Sequence, residues 1–194
     1  MRKILLILLA MVLMLSLCAC GGEQGVEVTT ATTKSLNIAE TFTLGYYKDG
    51  EPKTITDTDL RELLQYDEIH NLVLANYKGT DLDILTQIKG LRSLKLQSMK
   101  NLTDLSFLTE LKELKFLMIY DLSDDFTDIS VLSELVWLEN LSINNIGVND
   151  FSPLYSLRQL KSLDLTSTAL TQSQYDTLKT ALPNCTIKNV TIYE

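Results

Sequence analysis

Marked only as apolar or polar, the chain shows one pattern over and over, L-x-x-L-x-L. It occupies residues 69–74, 91–96, 114–119, 138–143 and 160–165, with isoleucine replacing leucine in places. The last apolar residues, Leu74, Leu96, Ile119, Ile143 and Leu165, follow one another at 22, 23, 24 and 22 residues. A further step of 22 reaches Ile187, predicting a terminal strand there. On an extended strand successive side chains point to opposite faces, so L-x-L sends both leucines into a core and the middle residue outward. A period of this length predicts one strand per repeat, stacked in a parallel sheet.

A second pattern keeps the same beat. Thr58-Asp59-Leu60, Thr80-Asp81-Leu82, Thr103-Asp104-Leu105, Thr127-Asp128-Ile129 and Asn149-Asp150-Phe151 recur at 22, 23, 24 and 22. Three residues after each apolar member comes a leucine: Leu63, Leu85, Leu108, Leu132 and Leu154. From that leucine to the end of the next strand is always 11 residues. All length changes therefore fall between strand and T-D-L, where a surface turn tolerates them. The Thr or Asn of T-D-L is expected to cap the short helical or 3₁₀ turn that follows, with Asp favoured in its first turn.

Stacked repeats need closed ends. Residues 57–65 predict a short helix burying Leu60, Leu63 and Leu64, preceded by a strand within residues 42–47. Residues 172–182 predict a longer helix burying Tyr175, Leu178 and Leu182, which Pro183 stops.

With two motifs in one phase, the chain resembles the leucine-rich-repeat family, in the 22-residue bacterial form similar to internalins, over roughly residues 55–190. The resemblance implies an α/β solenoid. This is a horseshoe with a parallel sheet of about six strands on its concave face and short helical or 3₁₀ segments on its convex side. One departure stands out. The family usually places Asn three residues after the last strand leucine, as a ladder that satisfies the backbone. Here those positions hold Tyr77, Met99, Leu122, Ile146 and Thr168.

The N-terminus adds an address. Arg2 and Lys3 form a short positive start, and residues 4–17 run apolar with Ser16 the one polar member. That run is shorter than the ~20 residues of a membrane span and fits a signal segment. It ends in Leu17-Cys18-Ala19-Cys20-Gly21. This is similar to a bacterial lipoprotein lipobox, with Leu17 and Ala19 ahead of an acylated Cys20. The alternative is an ordinary secretory signal cleaved nearby, or an uncleaved anchor. The expected organisation is a signal peptide over 1–19 and a flexible tether over 20–39. An N-terminal cap over 40–65, repeats over 66–170 and a capping helix and strand over 171–194 follow. Localisation is then the extracellular face of a bacterial membrane, with lipid as the anchor.

Charge narrows the partners. The 17 basic and 25 acidic residues give a net charge of −8. Without Arg2 and Lys3 the balance is 15 to 25, a net of −10. No basic patch is left to neutralise phosphates, so nucleic acid is not an expected partner. Three cysteines, Cys18, Cys20 and Cys185, leave one in the repeat region, where it cannot form an internal disulfide. Cys185 takes a leucine position and reads as a small buried hydrophobe.

The outward strand positions supply the candidate site. Most are polar, among them Lys95, Asn140 and Asn144. The third strand instead offers Phe116, Met118 and Tyr120, an apolar stripe on a polar face. Exposed apolar clusters with polar rims mark binding sites. The competing expectation is that the 24-residue repeat shifts register or folds a loop over the stripe. Asp121, Asp124, Asp125 and Asp128 crowd that repeat and could offer oxygen ligands to calcium, though at no EF-hand spacing. Solvated turn residues are the plainer reading, so no metal and no cofactor are expected. His70, the one histidine, reads as an exposed flank residue, and Trp137 as a partly packed aromatic. With no nucleophile–base pair, P-loop or paired-cysteine signature, no catalysis is expected. The expected function is binding of a protein, peptide or glycan on the concave face. The alternatives are an accessory subunit of an envelope enzyme complex and a structural envelope protein without a discrete ligand.

Overall fold

The structure is a computed structural model. It describes residues 29–31, 41–44, 47–48, 51–52, 54–66, 68–123 and 126–193. The signal segment and Cys20 lie outside the described residues, as do Asp124 and Asp125.

Each L-x-x-L-x-L stretch forms a strand. These are β5 (Asn71–Ala75), β6 (Ser93–Gln97), β7 (Phe116–Tyr120), β8 (Asn140–Asn144) and β9 (Ser162–Thr171). After β9 come the helix α2 (Gln172–Ala181) and the strand β10 (Thr186–Tyr193). The strands β5 to β10 pair in parallel, in sequence order. On the N-terminal side β2 (Thr41–Leu44) adds a further parallel strand against β5, and β1 (Thr29–Ala31) pairs antiparallel with β2. β1 lies within the segment expected to be a tether. A separate small hairpin joins β3 (Tyr47–Lys48) to β4 (Glu51–Pro52).

The core is one continuous column of leucine. Leu72, Leu94, Leu117, Leu141 and Leu163 stand side by side across the sheet and are at most 2% exposed. Leu74, Leu96, Ile119, Ile143 and Leu165 form the next row and are fully buried. Facing them, the T-D-L segments lead into 3₁₀ turns at Asp83–Gln87, Ser106–Glu110, Ser130–Glu134 and Ser152–Ser156. Leu85, Leu108, Leu132 and Leu154 on these turns are fully buried.

The capping chemistry differs from expectation. The Asp, not the Thr or Asn, holds each turn. Asp104, Asp128 and Asp150 accept a hydrogen bond from the backbone N–H two residues on, at 2.8–2.9 Å, and Asp81 does so at 3.3 Å. A carboxylate on a four-atom arm reaches that N–H from two residues back, so the Asp closes an Asx turn. These bonds hold the Asp104, Asp128 and Asp150 carboxyls below the usual range.

In the first repeat, Thr58-Asp59-Leu60 lies inside the helix α1 (Asp57–Glu62), so Thr58 caps nothing. Thr56 is the N-cap, and Asp59 returns a 2.7 Å bond to its backbone N–H in a capping box. Leu60 and Leu63 are buried, but Leu64 is 40% exposed, because the chain tightens into a 3₁₀ turn at Leu63–Gln65 and swings it outward. At the far end Thr171 and Gln174 form a second capping box. Leu178 and Leu182 are buried, and Tyr175 packs against the core while staying partly exposed.

The terminal strand forms at Ile187 as the spacing predicts, with an irregular register. Ile187 pairs with Leu163, not Leu165, and a shift between Lys188 and Val190 then brings Val190 beside Thr168. β9 takes up the two-residue excess as a bulge, and Ile187, on the edge strand of the sheet, is half-buried.

Candidate functional site

The sheet sets the site. Alternation places residues 116, 118 and 120 on the face opposite the leucines. Continuous pairing of β6, β7 and β8 keeps the 24-residue repeat in register. Phe116 is 50% exposed and Tyr120 38%, with Met118 partly exposed between them. No described loop covers the stripe. Ser93, Lys95 and Gln97 flank it through β6, and Asn140, Ser142 and Asn144 through β8. Lys95 lies directly beside Met118, Asn140 beside Phe116, and Asn144 beside Tyr120. The six residues picked out by the sequence therefore form one contiguous patch.

Polar chemistry is available next to the stripe. Asn144 Nδ2 donates to Ser142 Oγ at 3.0 Å, while Asn144 Oδ1 is buried with no partner among the described residues. A buried acceptor without a donor is costly.

The sequence reading missed a second column. Asn76, Ser98, Asp121, Asn145, Ser167 and Asn189 all have left-handed backbones, with φ between 51° and 60°. Each stands two residues after the last leucine or isoleucine of its repeat: the first four where the chain turns out of the sheet, Ser167 and Asn189 at the irregularity within β9 and β10. Short polar side chains tolerate this conformation better than other non-glycine residues. Their backbones form a ladder: Asn76 N–H donates to the Gln97 carbonyl, Ser98 N–H to that of Tyr120, and Asp121 N–H to that of Asn144. Asp121 is the hub of the side chains. It accepts from Ser98 Oγ at 3.1 Å, Lys100 Nζ at 2.7 Å and Asn145 Nδ2 at 3.1 Å. The Lys100 bond, above all, holds its carboxyl below the usual range.

This column replaces the missing asparagine ladder, one residue earlier. The positions where the family places Asn are buried instead: Tyr77 3%, Met99 0%, Leu122 0%, Ile146 9% and Thr168 4% exposed. Tyr77 alone carries its polar atom back out, donating to Asp57 Oδ1 at 2.6 Å, and burial together with that carboxylate pushes its pKa up. The signal was present as Asn, Asp and Ser recurring in phase, one position before the place where asparagine was sought.

Two of the four aspartates considered for calcium have other engagements. Asp121 is bound to Lys100 and Asp128 closes its turn. Among the described residues no group of three or more His, Cys, Asp or Glu is placed to hold a metal.

His70 is not an exposed flank. It is half-buried, and its Nδ1 lies 2.8 Å from the Gly90 carbonyl. Gly90 has φ +79°, and a Cβ there would meet the imidazole at 3.3 Å. Cys185 is 3% exposed, and burial raises its thiol pKa, as expected of a structural cysteine. Trp137 is partly packed, with Lys112 Nζ 4.6 Å above its ring.

Among solved structures, the chain is similar to internalin C2 from Listeria monocytogenes at 24% identity and a TM-score of 0.49, covering 78% of this chain and 73% of that one. It is similar to a second internalin (inlF) from the same organism at 26% identity and a TM-score of 0.51, covering 73% of this chain and 47% of the other. The fold is a leucine-rich-repeat solenoid. The solenoid spans about half the length of the second internalin chain. No protein-family profile and no curated protein matches it.

Proposed function

We propose that this solenoid is a binding module that recognises a protein or peptide partner on its concave sheet, and that lipid on Cys20 holds it at the outer face of a bacterial membrane. The observation that carries the binding reading is the exposure of Phe116 and Tyr120 at the centre of a polar sheet. At 50% and 38% exposure they leave roughly 100 and 80 Å² open. Burying that area in an interface is worth about 2 kcal/mol per ring. Rigid aromatic anchors ringed by polar groups are the usual centre of a protein interface. Placed on strands, they need little ordering before they bind.

The test is chemical crosslinking on intact cells with wild type and with Phe116→Ala/Tyr120→Ala. Both side chains point away from the core, so the variant folds. A partner captured by wild type and lost from the variant supports the reading; equal capture sinks it. Anchoring is tested separately, by metabolic labelling with an alkyne fatty acid. Cys20→Ala is expected to lose the label and move the protein to the medium, and a labelled Cys20→Ala protein sinks that part.

A further inference from the structure

The two rims that bound the apolar stripe carry opposite charge. Each concave strand is entered through a four-residue approach. In the approaches 89–92, 112–115, 136–139 and 158–161 there are six basic residues against Glu113 and Glu139. Two approaches depart from this: 136–139, with Glu139 and no basic residue, and the first, with Glu68. The approaches are tied rung to rung, since the Arg92 carbonyl accepts from Lys115 N–H and Phe116 N–H at 2.8 and 3.0 Å, and the Lys115 carbonyl accepts from Glu139 and Asn140. Lys115 and Lys161 both pair with Glu139, at 3.7 and 2.5 Å. Arg92 and Lys95 take part in no ion pair among the described residues, and Lys112 covers Trp137.

At the other ends of the strands, the described residues of 76–81, 98–104, 121–128 and 145–150 hold five aspartates against Lys78 and Lys100. Asp121 follows Tyr120 directly. The stripe thus runs from a basic rim at Phe116 to an acidic rim at Tyr120.

We propose that the partner is a segment of split charge: acidic residues meet the rim where the strands begin, basic residues meet the rim where they end, and apolar side chains lie between them on Phe116, Met118 and Tyr120. This rests on the concave sheet being the binding surface. Complementary rims fix which way round a partner lies and exclude one of single sign.

The probes are three synthetic peptides with one shared apolar centre of leucine and tryptophan. One has glutamates at one end and lysines at the other, one has glutamates at both, and one has lysines at both. Binding is measured by fluorescence anisotropy to the full chain in phosphatidylcholine nanodiscs, with empty discs as the blank. The mixed-ended peptide is expected to bind roughly fivefold to tenfold tighter than either other, as partly exposed ion pairs allow. The preference is expected to fade at ~500 mM salt. Arg92→Glu/Lys112→Glu, both exposed, is expected to move the preference to the lysine-ended peptide.

Equal binding of the three, no binding of the mixed-ended one, or a preference that the rim reversal leaves unmoved overturns the split-charge assignment, even where Phe116→Ala/Tyr120→Ala weakens all three. If that double variant leaves mixed-ended binding at full strength, the stripe reading falls with it. Dimers of the chain by sedimentation velocity, dissolved by the double variant, overturn it in favour of a second copy.

Discussion

Met99 stands where the family places its ladder asparagine, so Met99→Asn asks directly what holds that corner of the solenoid. Met99 is fully buried, in the column that runs from Tyr77 to Leu122. Truncating a buried methionine to alanine costs about 3 kcal/mol in lost transfer energy and residual cavity. Asparagine fills part of that cavity. It also buries an amide, and the backbone bonds of this corner already run through Asn76, Ser98 and Asp121. An unsatisfied buried amide costs ~1–3 kcal/mol. Met99→Asn should therefore lose about 4 kcal/mol, a large part of the 5–15 kcal/mol of an ordinary domain, and should be less stable than Met99→Ala. The assay is urea unfolding followed by circular dichroism for wild type and both variants, with the slopes compared to confirm one transition. Met99→Asn as stable as Met99→Ala, or more so, would mean that a side-chain ladder can form there. The claim that the left-handed column has taken over its task would then be refuted.

Three further outcomes follow from residues already described. Asn145 has φ 51°, so Asn145→Gly should stay within ~0.5 kcal/mol of wild type while the β-branched Asn145→Val loses ~1–2 kcal/mol, read by the same unfolding assay. Asp121 has its carboxyl pKa lowered in the folded state, chiefly by Lys100, so its contribution is present above the unfolded carboxylate value of about 3.9 and lost as pH falls through the folded value. Wild type should lose up to ~1 kcal/mol more than Asp121→Asn between about pH 5 and pH 2, a modest figure because Lys100 is half-exposed; parallel acid limbs would contradict the pairing. Cys185, buried and with its thiol pKa raised, should resist an aromatic disulfide reagent in the native protein and react fully in urea, and rapid native labelling would show that the position is open.

What could be read from the sequence follows the reach of the physics behind each feature. Strand positions were legible because Leu72, Leu94, Leu117, Leu141 and Leu163 obey a strict alternation that only one register buries. The exposure of Phe116 and Tyr120 came from the same alternation. Where competing hydrogen bonds decide, periodicity was silent. T-D-L marked each turn but not which of its side chains closes it, and the geometry chose Asp104, Asp128 and Asp150. The Thr58 motif matched the repeats, yet Thr56 had the better partner in Asp59. The β10 register depends on a bulge in β9, a tertiary accommodation that has no signature in spacing. The left-handed column was written in the residue types, but it shows only once backbone conformation is known.

That column has a consequence for how such a protein can change. Asn76, Ser98, Asp121 and Asn145 lie one residue past their strands, while Ser167 and Asn189 lie within β9 and β10, and the variation in repeat length falls beyond the first four. A loop lengthened or shortened there leaves the strand before it and the strand after it in place. The concave side chains and the rim loops are therefore separately variable, one by substitution and the other by insertion. The 24-residue repeat illustrates this, with two added residues on the rim and Phe116, Met118 and Tyr120 still in line with their neighbours. A lineage, or an engineer, can alter what the surface grips without retuning the frame that presents it.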